Sequence, residues 1–109
     1  GEESLPDKER LVLEGAWILR NAFLQQNAFD RVDRYSTPAK QVRMLRAIFH
    51  YIDRGLAIVA QKTPVYRIKE LPVRTDLMRM RFEIPDDALP RFDSLMEAID
   101  TQMDGLARE

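Results

Sequence analysis

The sequence predicts an all-α fold, a compact helical bundle of three long and two short helices. Apolar residues recur at three- and four-residue spacing along most of the chain. Threonine–proline pairs at positions 37–38 and 63–64 place a capping side chain before a proline, which is typical of a helix start. The chain has only four glycines, no dipeptide typical of a tight β-hairpin and no convincing polar–apolar alternation.

The first helix is expected from about Pro6 to Gln26, with Ser4 as its cap. Its predicted apolar row consists of Leu11, Val12, Ala16, Leu19 and Phe23, widened by Trp17 and Leu24. Because Trp17 falls within this row, we expect it to pack in the core.

The second helix is expected to start at Thr37-Pro38 and to end near Gln61 or Lys62. Its predicted buried residues are Val42, Leu45, Phe49, Ile52, Leu56 and Val59. Two short helices should follow, one after Thr63-Pro64 and one after Leu71-Pro72. The apolar residues of the second short helix are Val73, Leu77 and Met80.

The last helix is expected to begin at Asp86-Asp87, because acidic side chains suit the positive end of a helix dipole. Pro90 is then acceptable only within the first turn. The predicted buried row is Phe92, Met96, Ile99, Met103 and Leu106. The five methionines of the chain are interpreted mostly as core residues.

A chain of 109 residues is long enough for one domain, which we expect to span residues 4–109 after a linker or cloning remnant at residues 1–3. The absence of cysteine excludes disulfides, thiolate catalysis and zinc-finger sites. No apolar run is long enough to span a membrane and no secretory signal is visible, so a cytoplasmic location is expected.

The charges are balanced overall but unevenly distributed. Seventeen basic and eighteen acidic residues give a net charge of −1, which argues against a general nucleic-acid binder. Residues 64–81 contain five bases and two acids, whereas residues 82–109 contain two bases and eight acids. The acidic last helix, beside the basic middle segment, is expected to pair within the fold or to face a partner.

No catalytic or metal site can be recognised from residue types and spacing. His50 is the only histidine, so a packing or surface role is expected for it rather than metal binding. No pair of carboxylates stands out, and no phosphate-binding glycine loop is present.

The run Phe23-Leu24-Gln25-Gln26-Asn27-Ala28-Phe29 departs from a plain amphipathic helix. Its amides could satisfy open carbonyls at a helix end. Alternatively, exposed amides and an aromatic ring could form one wall of a purine pocket. The residues alone leave both interpretations open.

This run, followed by Val32-Asp33 and Tyr35, resembles the C-terminal domain of the catalytic A subunit of A-type and V-type rotary ATPases, in its prokaryotic form. The agreement continues through Lys40-Gln41, Met44-Leu45, Ala47-Ile48 and Tyr51, and into Leu71-Pro72-Val73-Arg74 and Met80. It covers most of residues 4–84.

The resemblance implies that the chain is part of a longer subunit of a proton- or sodium-translocating ATP synthase. The phosphate-binding loop and the metal ligands would belong to a central domain, which would bind ATP or ADP with Mg²⁺. The implied partners are the central-stalk subunits and the non-catalytic B subunit. The chain alone is therefore expected to be inactive, and its complex to be peripheral to the inner face of the cell membrane.

The resemblance also implies two contact surfaces. Phe29 would pack against the adenine base, with Ala28 providing room and with Gln26 and Asn27 near the edge of the base. The acidic start of the chain, with Glu2, Glu3 and Asp7, resembles the tip that F-type catalytic subunits press against the rotating shaft.

Two other functions are compatible with an all-α domain. One is a free-standing adaptor that binds a partner helix in a groove. The other is a nucleic-acid-binding module that uses the basic residues Arg67, Lys69, Arg74, Arg79 and Arg81. The acidic tail argues against the second.

Overall fold

The computed structural model describes residues 5–25 and 36–109. Their helical elements are α1 (Asp7–Ile18), a π-helical segment that continues it (Leu19–Leu24), α2 (Pro38–Ala60), α3 (Val65–Lys69), α4 (Pro72–Glu83), a 3₁₀ turn (Asp86–Ala88) and α5 (Arg91–Ala107). These residues contain no strand, so the all-α prediction is confirmed for the described part of the chain.

Proline and threonine set the helix starts largely as predicted. At the start of α2 the Thr37 hydroxyl accepts a hydrogen bond from the Lys40 N–H at 3.2 Å, and Pro38 occupies the first turn. Pro72 likewise stands in the first turn of α4. With twelve residues, α4 is longer than the short helix expected there. The cap predicted at Ser4 lies outside the described residues.

The predicted start of the last helix is wrong. Residues Asp86–Ala88 form a 3₁₀ turn, and α5 begins at Arg91, directly after Pro90. A helix starting at Asp86 would place Pro90 beyond its first turn, where proline removes a hydrogen bond and clashes. Asp86 instead accepts a hydrogen bond from the Thr37 N–H at 2.8 Å, at the start of α2.

Helix α2 is the central element, with α1, α4 and α5 packed around it. Two glycines allow α1 and α2 to approach closely. A Cβ atom on Gly15 would lie 2.6 Å from Ile52 Cδ1, and one on Gly55 would lie 2.9 Å from Leu11 Cδ2. Such separations are below van der Waals contact, so this crossing depends on the absence of both side chains.

The predicted buried rows of the first two helices are partly wrong. Val12, Ala16, Val42 and Phe49 are exposed. The buried residues of α1 are Leu11, Glu14, Gly15 and Ile18, and those of α2 are Lys40, Met44, Ala47, Ile48, Tyr51, Gly55, Ile58 and Val59. Helix α2 is packed against three other helices, so its buried face is wide. The predicted row lies at the margin of this face, and Leu45, Ile52 and Leu56 are accordingly only partly buried.

The last helix has the buried row that the sequence predicts. Phe92, Ile99, Met103 and Leu106 are buried, and Met96 is half-buried against the core. Met44 and Met80 also pack in the core. The regular three- and four-residue spacing of these positions is sufficient to identify the buried face of α5.

The acidic side chains of α5 pair within the fold, mainly with α2 rather than with the middle segment. Ion pairs join Asp93 to Arg43, Asp100 to both His50 and Arg54, and Asp104 to Arg54. One pair does involve the middle segment, between Arg67 and the Glu109 carboxylate.

Candidate functional site

The residues predicted to contact the nucleotide, Gln26, Asn27, Ala28 and Phe29, lie outside the described residues, as do Glu2 and Glu3. The described chain ends at residue 25 on one side of this segment and resumes at residue 36 on the other. The described parts of the structure nearest in sequence to the predicted site are therefore the elements that hold residues 25 and 36.

The first of these elements is the π-helical segment. The Gln25 N–H donates to the carbonyl oxygen of Arg20, five residues back. One turn earlier, Asn21 Nδ2 donates to the carbonyl oxygen of Trp17 at 2.8 Å. π-helical turns are rare and occur frequently at functional sites. The described chain therefore ends, at Gln25, directly after an irregular helical turn.

The π-helical segment also determines which way Phe23 faces. Ile18 and Phe23 are both buried. In a regular α-helix five residues turn through about 500°, which would leave Phe23 about 140° away from Ile18. A five-residue hydrogen-bond step brings the two side chains nearer to one face. Leu24 is then 54% exposed, so the prediction that it extends the apolar row is wrong.

A buried carboxylate joins three helices one turn before the π-helical segment. The Glu14 side chain is 2% exposed. Its Oε2 accepts hydrogen bonds from the Tyr51 hydroxyl at 3.0 Å and from Arg74 Nε at 2.6 Å, and its Oε1 accepts one from Arg74 Nη2 at 3.0 Å. Glu14, Tyr51 and Arg74, here named the Glu14 cluster, connect α1, α2 and α4.

The protonation states in the Glu14 cluster favour these contacts. Burial, with the Glu14 carboxylate, raises the pKa of Tyr51, so the phenol keeps its proton and donates it in a hydrogen bond. The hydrogen bonds to Glu14 raise the pKa of Arg74, which stays charged. Two parallel N–H···O bonds to a carboxylate are geometrically specific as well as strong, so the cluster fixes orientation.

Trp17 lies on this cluster and not in the core, so its predicted role is wrong. The indole is 47% exposed, and the Arg74 guanidinium carbon lies 4.9 Å from the ring centroid, in cation–π geometry. The ring borders an open cleft of about 470 Å³ that α3 also lines. Trp17 therefore covers the outer side of the Arg74–Glu14 ion pair.

The other end of the segment is held at the start of α2. Ser36 and Lys40 are buried. Lys40 Nζ donates to the carbonyl oxygen of Arg81 at 2.7 Å, which connects α2 to the last turn of α4. Burial lowers the pKa of Lys40, although the nearby Asp86 carboxylate opposes this shift. Both ends of the segment 26–35 are thus anchored to α4.

Asp7 is the one residue of the predicted rotor contact that the structure describes. It is the first residue of α1, and its carboxylate lies 4.0 Å from Arg10 Nη1. It borders an open groove of about 720 Å³ between the start of α1 and the end of α2. Its position at a helix N-terminus is electrostatically favourable, and the side chain is 39% exposed.

Four of the five basic residues considered in the middle segment, all except the exposed Lys69, lie near an acidic side chain or are buried. Arg74 is bound to Glu14, Arg67 to Glu109 and Arg79 lies 3.9 Å from Glu83. Arg81 is buried. This distribution argues against the nucleic-acid-binding interpretation.

His50 is half-buried and lies 2.7 Å from Asp100 Oδ1, in agreement with the expected packing role. Among residues 5–25 and 36–109, no three His, Asp or Glu side chains are grouped as a metal ion would require. In the same residues, none of the helices combines the length and the apolar character of a membrane span.

The sequence did not identify Glu14, Tyr51 and Arg74 as a site. Tyr51 and Arg74 belong to the run that resembles the ATPase family, and Arg74 was also considered as a nucleic-acid contact. One signal was available for Glu14. It stands between Leu11 and Ile18 on the row that turns out to be buried, where an unpaired carboxylate would be costly. The partners on α2 and α4 are 37 and 60 residues away, and spacing does not reveal them.

A family model described as the C-terminal domain of V and A type ATP synthase matches residues 1–68. The chain belongs to this family. The match includes α1, the π-helical segment, α2 and most of α3. Family membership favours the ATP synthase interpretation over the free-standing adaptor.

Curated relatives extend the similarity beyond the family model. The chain is 39% identical over 109 residues to the A subunit of the A-type ATP synthase of Methanopyrus kandleri, covering 100% of this chain and 18% of the relative. It is 38% identical over 100 residues to the V-type ATP synthase alpha chain of Halothermothrix orenii, covering 92% and 17%. With the corresponding A-type protein of Thermococcus onnurineus it shares 47% identity over 83 residues, covering 76% and 14%. The chain thus spans less than a fifth of the length of these relatives.

Proposed function

We propose that this chain forms the adenine end of the ATP site and one rotor contact in the catalytic subunit of an A/V-type ATP synthase. In that subunit Phe29 stacks on the adenine base. Ala28 leaves room for it, and Gln26 and Asn27 lie near its edge. The family match over residues 1–68, which includes this run, is the observation that supports the proposal. The described residues on both sides of this run, in the π-helical segment and at the start of α2, are anchored to α4.

The proposal assigns ATP or ADP with Mg²⁺ to the whole subunit. The non-catalytic B subunit completes the site, the central stalk transmits rotation, and the complex carries protons or sodium ions at the inner face of the cell membrane. Within the subunit the phosphates and Mg²⁺ are held by other residues. The 109-residue chain alone is then expected to show no Mg²⁺-dependent ATP hydrolysis, and measurable hydrolysis by the purified chain would contradict this division of roles.

The adenine contact is tested in a chimaera of the Methanopyrus kandleri relative, in which this chain replaces the segment aligned with it. Phe29→Ala should raise the KM for ATP by about five- to 150-fold, the equivalent of losing about 1–3 kcal/mol of stacking on one aromatic ring. The kcat should change much less, because the base is remote from the transferred phosphate and stacking contributes equally to ground and transition states.

Two further substitutions separate stacking from packing. Phe29→Trp keeps an aromatic face and should keep the KM near that of the unmutated chimaera. Phe82→Ala is the matched control, because Phe82 is 70% exposed on α4 and should affect neither KM nor stability. If Phe29→Ala lowers the melting temperature and leaves the KM unchanged, Phe29 is a packing residue and the adenine contact is wrong.

The rotor contact is tested separately in the same chimaera. Alanine at Glu2, Glu3 and Asp7 removes three acidic side chains, and surface substitutions usually change stability by less than about 0.5 kcal/mol. We expect weaker binding of the central stalk and lower coupled turnover with an unchanged melting temperature. If stalk binding and turnover both keep their original values, these residues do not contact the rotor.

A further inference from the structure

We propose that the cleft beside Trp17 is a docking site for an acidic peptide segment of a partner protein, which inserts an apolar side chain next to the indole. This cleft, here named the Trp17 cleft, has a volume of about 470 Å³ and is lined from α1, α3 and α4 by Arg10, Leu13, Trp17, Tyr66, Lys69 and Arg74. All of these residues belong to the described part of the chain. The inference is independent of the adenine and rotor contacts, because it uses none of their residues.

The first observation is the exposure of large apolar side chains around the Trp17 cleft. Leu13 is 45% exposed, Trp17 47% and Tyr66 61%. Exposed apolar side chains gathered at a concave surface mark interaction sites, and tryptophan and tyrosine are enriched at protein–protein interfaces. The volume of the cleft is also within the range of ligand-binding clefts, so the cleft has room for an apolar side chain of a partner.

The second observation is the charge of the Trp17 cleft. One carboxylate, that of Glu14, faces three basic side chains, those of Arg10, Lys69 and Arg74. Glu14 binds Arg74 and compensates its charge. Arg10 lies 4.0 Å from the Asp7 carboxylate, and a partly exposed pair at this distance is weak. Lys69 is exposed at the end of α3 and forms no ion pair with the residues that the structure describes. The cleft therefore has surplus positive charge, which is complementary to an acidic segment.

The third observation is that contacts within the chain fix the wall of the cleft. Arg74 binds both oxygens of the buried Glu14 through two nitrogens, and its guanidinium carbon lies 4.9 Å from the centroid of the Trp17 ring. The carbonyl oxygen of Trp17 accepts a hydrogen bond from Asn21 Nδ2 at 2.8 Å. Binding to a preorganised surface costs less conformational entropy than binding to a mobile one. The Glu14 cluster thus holds the indole at the surface of the cleft.

The first experiment uses Trp17 as the reporter, because it is the only tryptophan of the chain. The probe is a synthetic peptide of four glutamates around a central leucine, which contains no aromatic residue. Titration into the 109-residue chain at low salt should change the tryptophan emission and saturate, with a Kd of about 1 mM or lower. The same peptide with glutamine in place of glutamate should bind at least about fivefold more weakly. Added salt should weaken binding of the acidic peptide, because it screens the attraction between charges.

The second experiment repeats the titration with variants of the cleft. Lys69→Gln should weaken binding of the acidic peptide by about two- to fivefold and leave that of the glutamine peptide unchanged. Tyr66→Ala should weaken binding of both peptides, because it removes apolar contact. Arg79→Gln is the matched control for charge, because Arg79 is 66% exposed on α4 outside the cleft, and it should change neither affinity. All three positions are exposed, so the melting temperature should stay near that of the original chain.

The outcomes decide the proposal in both directions. Saturable binding that depends on the glutamates, on Lys69 and on Tyr66 supports it. An unchanged emission at peptide concentrations up to about ten times the expected Kd overturns it, as do equal affinities for the acidic and the glutamine peptide. Unchanged affinities in Lys69→Gln and Tyr66→Ala show that the peptide binds elsewhere and also overturn it. Inorganic phosphate at the same ionic strength is the last control: if it produces the same saturable change, the cleft binds anions in general and the peptide proposal is wrong.

Discussion

Ion pairs join the helices at two places in the bundle, and the two places differ in how deeply their carboxylates are buried. On one side, a single buried carboxylate, Glu14, binds Arg74 and Tyr51. On the other side, a row of partly exposed pairs lies between α2 and α5, in which the side chains of Asp93, Asp100 and Asp104 are 76%, 43% and 49% exposed. Exposed pairs contribute little because water and salt screen them, whereas breaking a buried pair leaves a charge without compensation. One buried carboxylate should therefore matter more than the whole row.

The largest effect is expected for Glu14→Ala. Removing this carboxylate leaves the Arg74 guanidinium and the Tyr51 hydroxyl without their main acceptor, which typically costs about 3–5 kcal/mol for a buried pair. Urea denaturation at neutral pH measures the loss in the free energy of unfolding. Glu97→Ala, at an exposed position of α5, is the control and should stay within about 0.5 kcal/mol of the original chain. Equal effects of the two substitutions would contradict the importance of burial.

The next effect concerns the crossing of α1 and α2 beside the cluster. Gly55→Ala places a methyl group 2.9 Å from Leu11 Cδ2 and should destabilise the fold by about 1–3 kcal/mol through overpacking. Gly105→Ala in α5 meets open space and should instead stabilise the helix by about 0.5–1 kcal/mol. Thermal unfolding of both variants tests whether the two effects have opposite signs. A stabilising Gly55→Ala would show that the crossing adjusts easily.

A smaller effect is expected from the exposed row. Arg54 pairs with Asp100 and Asp104, and Arg54→Gln should reduce the free energy of unfolding by about 1 kcal/mol or less. The difference should shrink further at high salt, because screening weakens exposed pairs. A loss as large as that of Glu14→Ala would reverse the comparison between the two groups.

The smallest effect is the contribution of single carboxylates to acid stability. Hydrogen bonds from Thr37 lower the pKa of Asp86. Burial raises the pKa of Asp100, but hydrogen bonds and charges of His50 and Arg54 outweigh burial and lower it overall. A carboxylate whose pKa is lower in the folded state stabilises the fold above its unfolded-state value, near 3.8, and this stabilisation is lost as the pH falls through the folded value.

The free energy of unfolding should accordingly decrease below about pH 4, and Asp86→Asn should make this decrease shallower. Urea denaturation between pH 7 and pH 3 measures it. Asp87→Asn, at a neighbouring exposed position, is the control. A steeper acid loss in Asp86→Asn than in the original chain would contradict the assigned direction of the pKa.

The buried residues were predicted best in a helix that is regular and that packs against the core with one face only. The row from Phe92 to Leu106 was identified correctly because α5 keeps one hydrogen-bond pattern throughout. In α1 the same reasoning failed for Val12 and Ala16, because the π-helical segment rotates Phe23 relative to an α-helical pattern. The spacing of apolar residues along the sequence does not indicate that the backbone hydrogen bonds change from the α-helical to the π-helical pattern.

The residues of the candidate site could not be identified from the local spacing that reveals a helix face. The residues of the Glu14 cluster are far apart in the sequence, so only the tertiary structure brings them together. Trp17 was expected in the core because it falls within the predicted apolar row, but it is half-exposed and in cation–π contact with Arg74. Phe29 was proposed from family resemblance, since residue types alone allowed both a helix-end role and a purine pocket.

The central claim, that residues 26–29 contact the base of ATP, is tested most directly by photolabelling. The chimaera, assembled in its complex, is irradiated with 2-azido-ATP and digested with trypsin. We expect label on the peptide from Asn21 to Arg31, which cleavage after Arg20 and Arg31 releases, and competition by excess ATP should abolish this label. Specific label found only on peptides outside this chain would contradict the account.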